Sequence, residues 1–556
     1  MKRFILYSFL FIFLLSCSRQ LELTPQDQIS TDGFWKSSKD ALLALNACYS
    51  SLQYGYNYAY DDGSSDNAYA QYPWESNATF ISAGNIDPSR DAGYNSRYQS
   101  IRTLNYFLDN VDKAPLDDAT KSRYIAEARA IRAFVYYQLA ATFGPVPLLK
   151  NSYSDPLEAA VDPNSQEEVI NFSIAELQDV ADILPTTYAG GSGTETGRVT
   201  RGAAWAMLTR IQLHFQKWGD AVTSAQKVMG LGYELFRVGT VSAADMADDF
   251  STLVDFANGD DKARFYKGLA SYEQQFWAAN EVSSKEIILA SQAITNSSYE
   301  WGNGLNTLLP PSVLGGWSSI TPTQSLVNSY WNRNGTPFTP VTPAVRASNF
   351  NDGSPNAAFF SEFKNRDTRL YASVLFPSVT WKRYSDGFTF SWKSGVNNNN
   401  SKTGYNFRKL VDPAYIATDW DGAQDFPIIR YAEILLAYAE AKNEVSGPDA
   451  SVYSALNDIR DRAGMPPINQ SIYNTKETLR TLIRNERRIE LAGEGQRFFD
   501  IRRWGVAGAV MTTIFDLNNS RVQERTWDNK YLLMPYPQSA VDRNPKLATA
   551  QASKGY

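Results

Sequence analysis

Apolar positions recur every three or four residues along several long stretches of the chain, and the stretches come in pairs. Within KSRYIAEARAIRAFVYYQLAATFG the stripe is Ala128, Ile131, Val135 and Leu139, and Gly144 with Pro145 then supplies helix-stop chemistry. GRVTRGAAWAMLTRIQLHFQ carries Ala204, Leu208, Ile211 and Phe215 on one face, and WGDAVTSAQKVMGLG follows with Ala221, Ala225 and Val228. A turn at Trp218–Gly219–Asp220 is expected to join these two helices. Far downstream, Tyr431, Ile434, Leu435 and Tyr438 mark one helix and Val452, Leu456, Ile459 and Ala463 its partner, stopped by Gly464 and Pro466. A further helix is predicted to begin near Thr475 and to run through TLRTLIRNERRIELAGEG.

Small alanines at the contact and a short connection force two such helices into close antiparallel packing, which is the anatomy of a tetratricopeptide hairpin. Residues 240–425 differ in composition. Segments such as NDGSPN, SGVNNNNSKTGYN and LLPPSVLGGW mix Gly, Pro, Asn and Ser with aromatics and predict long ordered loops with a few short strands such as EIILAS. Loops of this length usually carry function. The asparagines Asn397 to Asn400 read as a loop tip. The fold class is therefore mainly α, with tetratricopeptide-like hairpins over about 31–235 and 425–505 supporting an irregular, loop-rich part over about 240–425, all in one domain from 31 to 556.

The opening residues have their own pattern. Lys2 and Arg3 precede an apolar run from Phe4 to Leu15 that is shorter than the roughly 20 residues a membrane-spanning helix needs, so residues 1–16 are expected to be a secretory signal. Ser16 and Cys17 resemble the bacterial lipobox, which makes Cys17 the lipid-modified first residue of the mature chain and residues 17–30 a flexible tether. Acyl chains there would hold the protein at a membrane without spanning it.

Without residues 1–16 the chain has 51 basic and 59 acidic side chains, a formal net charge of −8, so nucleic acid is not an expected partner. With Cys17 modified, only Cys48 remains and an internal disulfide is impossible. His214 is the only histidine, which excludes a multi-histidine metal site, and its place beside a helical stripe assigns it to packing. No metal or cofactor is expected. DDGSSDN loosely resembles an oxygen-ligand loop for calcium but lacks the closing Glu of an EF-hand.

Two groups of residues invite a functional reading. In IRNERRIELAGEGQRFFDIRRWG, Glu486 and Glu490 share a helix face, a spacing that a glycosidase pair could also use. Seven arginines from Arg480 to Arg503 would hold these carboxylates ionised, whereas a catalytic acid needs a raised pKa. Glu486, Glu490, Arg487 and Arg497 are therefore expected to form a buried ion network, and no catalytic residue is assigned. The second group is YGYNYAYDDGSSDNAYAQYPWESNATF. Flat rings among Asp, Asn and Gln suit a sugar, which presents a C–H face for stacking and hydroxyls at its edge. Asp66, Asn67, Tyr72, Trp74 and Asn77 are the expected ligand contacts, joined by Trp301 and Trp317 from Gly-rich loops. The alternation of Tyr54, Tyr56, Tyr58 and Tyr60 fits either a half-buried strand or ring packing against the helices, as well as a binding role.

The markers EARAIRAFVYYQLAATFGPVPLL, KNRDTRLYASVL, TGYNFRKL, PIIRYAEILLAYAEAKNE, LNDIRDRAGMP, IRNERRIELAGEGQRFFDIRRWG and YLLMPYPQSAVDRNP follow one another as they do in the SusD/RagB family of outer-membrane lipoproteins, which the chain resembles over almost all of its mature length. The resemblance implies four tetratricopeptide-like units, a place on the outer face of the outer membrane, and a role in capturing an oligosaccharide and passing it to a SusC-like TonB-dependent transporter. A peptide ligand, a surface glycosidase and a pure assembly scaffold are the competing readings.

Overall fold

The computed structural model describes residues 34–556 apart from 53–54, 156, 189–194, 296–301, 397–398 and 417–419. The signal segment, Cys17, the tether, Tyr54 and Trp301 thus lie outside the described residues.

The helices stack in series. Ser38–Tyr49 packs on Tyr94–Asn110, which packs on Asp118–Phe143, and the run continues through Gln166–Ala181, Arg201–His214, Trp218–Met229 and Tyr431–Ser446 to Ala450–Arg462 and Lys476–Glu490. Asp118–Phe143 is the central member. From Ala130 to Phe143 every residue is buried, as a helix surrounded by other helices requires. Asp117 caps its start by accepting from the Thr120 amide, and Gly144 ends it at φ +77°, where a side chain would be strained and a Cβ would strike Leu533. The helix beginning near Thr475 has that residue as its N-cap.

The connection between the second pair differs from its expectation. Trp218–Gly219–Asp220 is the first turn of the second helix, and the reversal is made by Phe215–Lys217, with Gln216 at φ +56° and the Lys217 amide donating to the Gln212 carbonyl at 2.8 Å. The segment holding Tyr56, Tyr58 and Tyr60 is a helix, Gly55–Gly63, and not a strand. It passes so close to strand Phe426–Arg430 that a Cβ on Gly55 would lie 2.4 Å from the Phe426 side chain. Tyr58 stacks on Phe426 at 5.2 Å, so periodicity two in the tyrosines gave way to close helix–strand packing. His214 sits against Tyr137, Phe215 and Phe499, and burial followed by the Arg503 charge lowers its pKa to about 3, so the imidazole stays neutral.

The middle of the chain holds short strands in antiparallel pairs, among them Ala68–Ala70 with Ile320–Pro322 and Ile287–Ser291 with Phe426–Arg430. It also contains a 16-residue helix, Gly259–Gln274, in a stretch read as loop. One continuous apolar core runs from Trp35 to Leu547 and joins this part to the helices.

Charge joins them as well. Glu490 accepts from Arg462, from Arg430 at 2.8 Å and from Arg369 at 3.1 Å. Glu486 accepts from Arg460 and, at 2.9 Å, from Arg369. Glu286 bridges Arg430 and Arg462, and Glu494 bridges Arg430 and Lys409. With Asp367 on Arg369, five carboxylates face five cations in a region closed to water. Burial alone would raise the Glu490 pKa, but Arg462, Arg430 and Arg369 hold it well below the usual carboxylate range. Arg487 pairs with Asp500 and Glu440, and Arg497 pairs with Asp66, so the four residues expected in one network are divided among three clusters.

Replacing one member of such a set strands its partners in low dielectric at a cost of about 3–5 kcal/mol. Glu490→Gln is therefore expected to lower the unfolding temperature markedly at neutral pH. An unchanged thermal unfolding curve would contradict the assignment.

Candidate functional site

Strand Ala68–Ala70 delivers the residues after it to the surface. Its partner strand continues the alignment, with the Gln71 amide donating to the Ser319 carbonyl at 2.9 Å, so Gln71–Trp74 runs beside Trp317–Ser319. The Pro310–Ser319 loop is tight. Its Gly316 approaches the Pro310 carbonyl so closely that a Cβ would sit 2.1 Å from the oxygen, and Trp317, Ser318 and Ser319 donate their amides back to Thr307, Pro310 and Leu308. This turn leaves Trp317 half-buried at the edge of the core.

Two aromatic pairs result. Tyr72 and Trp74 lie 4.9 Å apart at 32°, with Trp74 77 % exposed. Trp317 meets Trp420 edge-on at 5.3 Å, and Tyr56 closes on the other side of Trp420 at 6.4 Å. The Trp317 carbonyl links the pairs by accepting from Gln71 Nε2 at 2.9 Å. Trp420 stands at φ +73°, a region costly for a bulky residue. It is held there by its amide, which donates to Thr307 Oγ1 at 3.2 Å, and by Gly304, where a Cβ would come within 2.2 Å of the indole.

Polar groups border the rings. The Tyr72 hydroxyl donates to Asn399 Oδ1 at 2.7 Å, and burial, aided by the Glu75 charge, raises its pKa to about 12. Glu75 accepts from the Tyr60 hydroxyl and from Ser319 Oγ, and burial raises its pKa. Trp74 thus offers an exposed ring, backed by the buried Tyr72 and bordered by the half-buried Trp317 and Trp420, with hydrogen-bonding groups at its edge, which suits a ligand with one apolar face and a polar rim.

Of the expected contacts, the structure brings together Tyr72, Trp74 and Trp317. Asp66 and Asn67 are interior. Asp66 is 2 % exposed and takes Arg497 at 2.7 Å and Arg488 at 2.8 Å, and Asn67 Oδ1 accepts from Arg488 Nε. Asn77 Nδ2 is committed to the Asp91 carbonyl at 2.8 Å. Asp62 of DDGSSDN is likewise engaged inward, accepting from the Gly493 amide. Sequence reading missed Trp420, Glu75 and Asn399. Trp420 had a signal in its Asp-Trp-Asp-Gly setting, whereas Asn399 was dismissed as part of a loop tip.

A helical-repeat scaffold bearing a loop-built aromatic surface is the class of protein that these features define. Two family models match the chain, one described as "SusD family" over residues 285–556 and the other as "Starch-binding associating with outer membrane" over 39–213. The chain belongs to the SusD family. It is 22 % identical to SusD-like protein P38 of Formosa agariphila, with 95 % of this chain and 97 % of that one aligned. A solved SusD-like protein of Bacteroides fragilis superposes with a TM-score of 0.76 at 25 % identity over 94 % of this chain and 98 % of its own. A second from that species, described as a SusD-like carbohydrate binding protein, gives a TM-score of 0.76 at 27 % identity over 92 % and 99 %.

Burial would raise the Asp66 pKa, but Arg488 and Arg497 prevail and set it at about 2, against 3.8 for the free group. A lowered pKa stabilises the fold fully above the free value, and this is lost as pH falls from 3.8 toward 2. Asp66→Asn is expected to cost about 2 kcal/mol at neutral pH. Thermal unfolding should show the difference from the unsubstituted protein closing across that acid range, and a constant difference would refute it.

Proposed function

We propose that the protein is a lipid-anchored outer-membrane protein that captures an oligosaccharide on the Tyr72, Trp74, Trp317 and Trp420 surface and delivers it to a SusC-like TonB-dependent transporter. The observation that carries this reading is Trp74, a large ring left in solvent beside Tyr72 while nearly every other aromatic of the described residues is packed. An exposed indole flanked by amide and carboxylate groups is what pyranose stacking requires. Membership of the SusD family supports the glycan and the transporter, as does the carbohydrate-binding description of the Bacteroides fragilis relative. Among the described residues no helix is long and apolar enough to cross a membrane, which is consistent with attachment through Cys17.

Ligand capture is tested with a glycan microarray and a peptide pool run side by side on the same preparation. The expectation is binding to one glycan class, weakened at least about 10-fold by Trp74→Ala, since truncating a central aromatic anchor costs about 2 kcal/mol or more, with an unchanged unfolding temperature. Binding to peptides alone, or full glycan affinity in Trp74→Ala, would overturn the reading. Capture of a tagged chain from outer membranes should recover a large β-barrel, and its absence would remove the transporter.

A further inference from the structure

At the other end of the strand pair, roughly 20 Å from Trp317 at about 3.3 Å per residue, lies a cavity of about 460 Å³ that the aromatic surface does not reach. Its size is within the range of about 300–1,000 Å³ usual for small-molecule sites. Four elements wall it: helix Gln324–Ser329, the start of helix Pro343–Phe350, helix Lys476–Glu490, and the segment entering the Ile514–Phe515 strand.

The walls hold polar groups that the fold leaves unused. Asn485 makes no side-chain hydrogen bond among the described residues, and its Nδ2 is buried. One helical turn on, Arg488 spends Nε and Nη2 on Asn67, Ser325 and Asp66, while its Nη1 has no acceptor among the described residues. Asn328 accepts from Gln324 through Oδ1 and keeps its Nδ2 available. Across the cavity, Asp516 Oδ1 accepts from the Asn518 and Ser520 amides and leaves Oδ2 available. Buried polar groups of native proteins normally find partners, and Asn485 Nδ2 is a buried donor without one, so with the open Arg488, Asn328 and Asp516 groups beside it the lining suits a ligand with complementary groups. Apolar area is supplied by Phe515, 39 % exposed at the rim, and by Phe338, fixed under the Arg366 guanidinium at 3.4 Å.

We propose that this cavity is a second carbohydrate site, taking one or two uncharged pyranose units whose hydroxyls accept from Asn485 and Arg488, donate to Asp516, and whose C–H face lies on Phe515. A hydroxyl both donates and accepts, so vicinal hydroxyls satisfy the two walls at once. A purely anionic group would answer Arg488 but be repelled by Asp516. The assignment rests on the lining of this cavity and stands apart from the aromatic surface.

The test is saturation-transfer NMR on the full chain carrying Trp74→Ala, which removes the exposed ring of the other surface. The probes are glucose, galactose, mannose, xylose, N-acetylglucosamine, cellobiose and laminaribiose. At least one is expected to receive saturation in this background and to lose it, by 10-fold or more in affinity, when Phe515→Ala or Asn485→Ala is added. Neither addition should lower the unfolding temperature, because Phe515 is exposed and Asn485 makes no internal bond. Silence of every probe in the Trp74→Ala protein, or transfer that survives both additions, would overturn the proposal. Failure of the aromatic surface reads out separately, as glycan affinity that Trp74→Ala leaves unchanged.

Discussion

The pairing of Glu490 with Arg462, Arg430 and Arg369 is the constraint on which the architecture depends. Arg462 ends a helix of the last hairpin, Arg430 ends a strand, and Arg369 lies in the short Thr368–Ser373 helix of the irregular part. One carboxylate therefore pins three elements that are distant in sequence. Ions taken out of water are costly unless every one is matched, and here each is.

That fixed relation matters for the ligand surface, which the helices do not build. Gln71–Trp74, Trp317 and Trp420 come from three separate segments, tied together by backbone bonds to Thr307, Leu308 and Ser319 and by glycines that permit close approach. Rings held in this way lose little entropy when a ligand stacks on them. Trp420 at positive φ shows the same economy, because the strain is borne by packing against Gly304 before any ligand arrives.

The helices were legible in the sequence because periodicity 3.6 and stop residues are local properties. Thr475 as a cap and Gly144 as a terminator needed only their neighbours. The alternation of the tyrosines left strand, ring packing and binding open together, because the approach of Tyr58 to Phe426 that decides for a packed helix is a long-range contact. Trp74 could be found, since a large ring in a polar run has no local reason to be buried, whereas the same argument applied to Tyr72 and Trp317 placed them correctly in the region but not in their burial. Asp66, Asn67 and Asn77 could not be separated from them by composition. Their partners, Arg497, Arg488 and the Asp91 carbonyl, appear only when the chain is folded.

The most direct measurement is a crystal structure of the protein with an oligosaccharide selected by the array. The account predicts sugar rings stacked on Trp74 and bordered by Trp317 and Trp420, with the protein side chains already in the positions described here. Density for the sugar elsewhere, with Trp74 left in solvent, would contradict it.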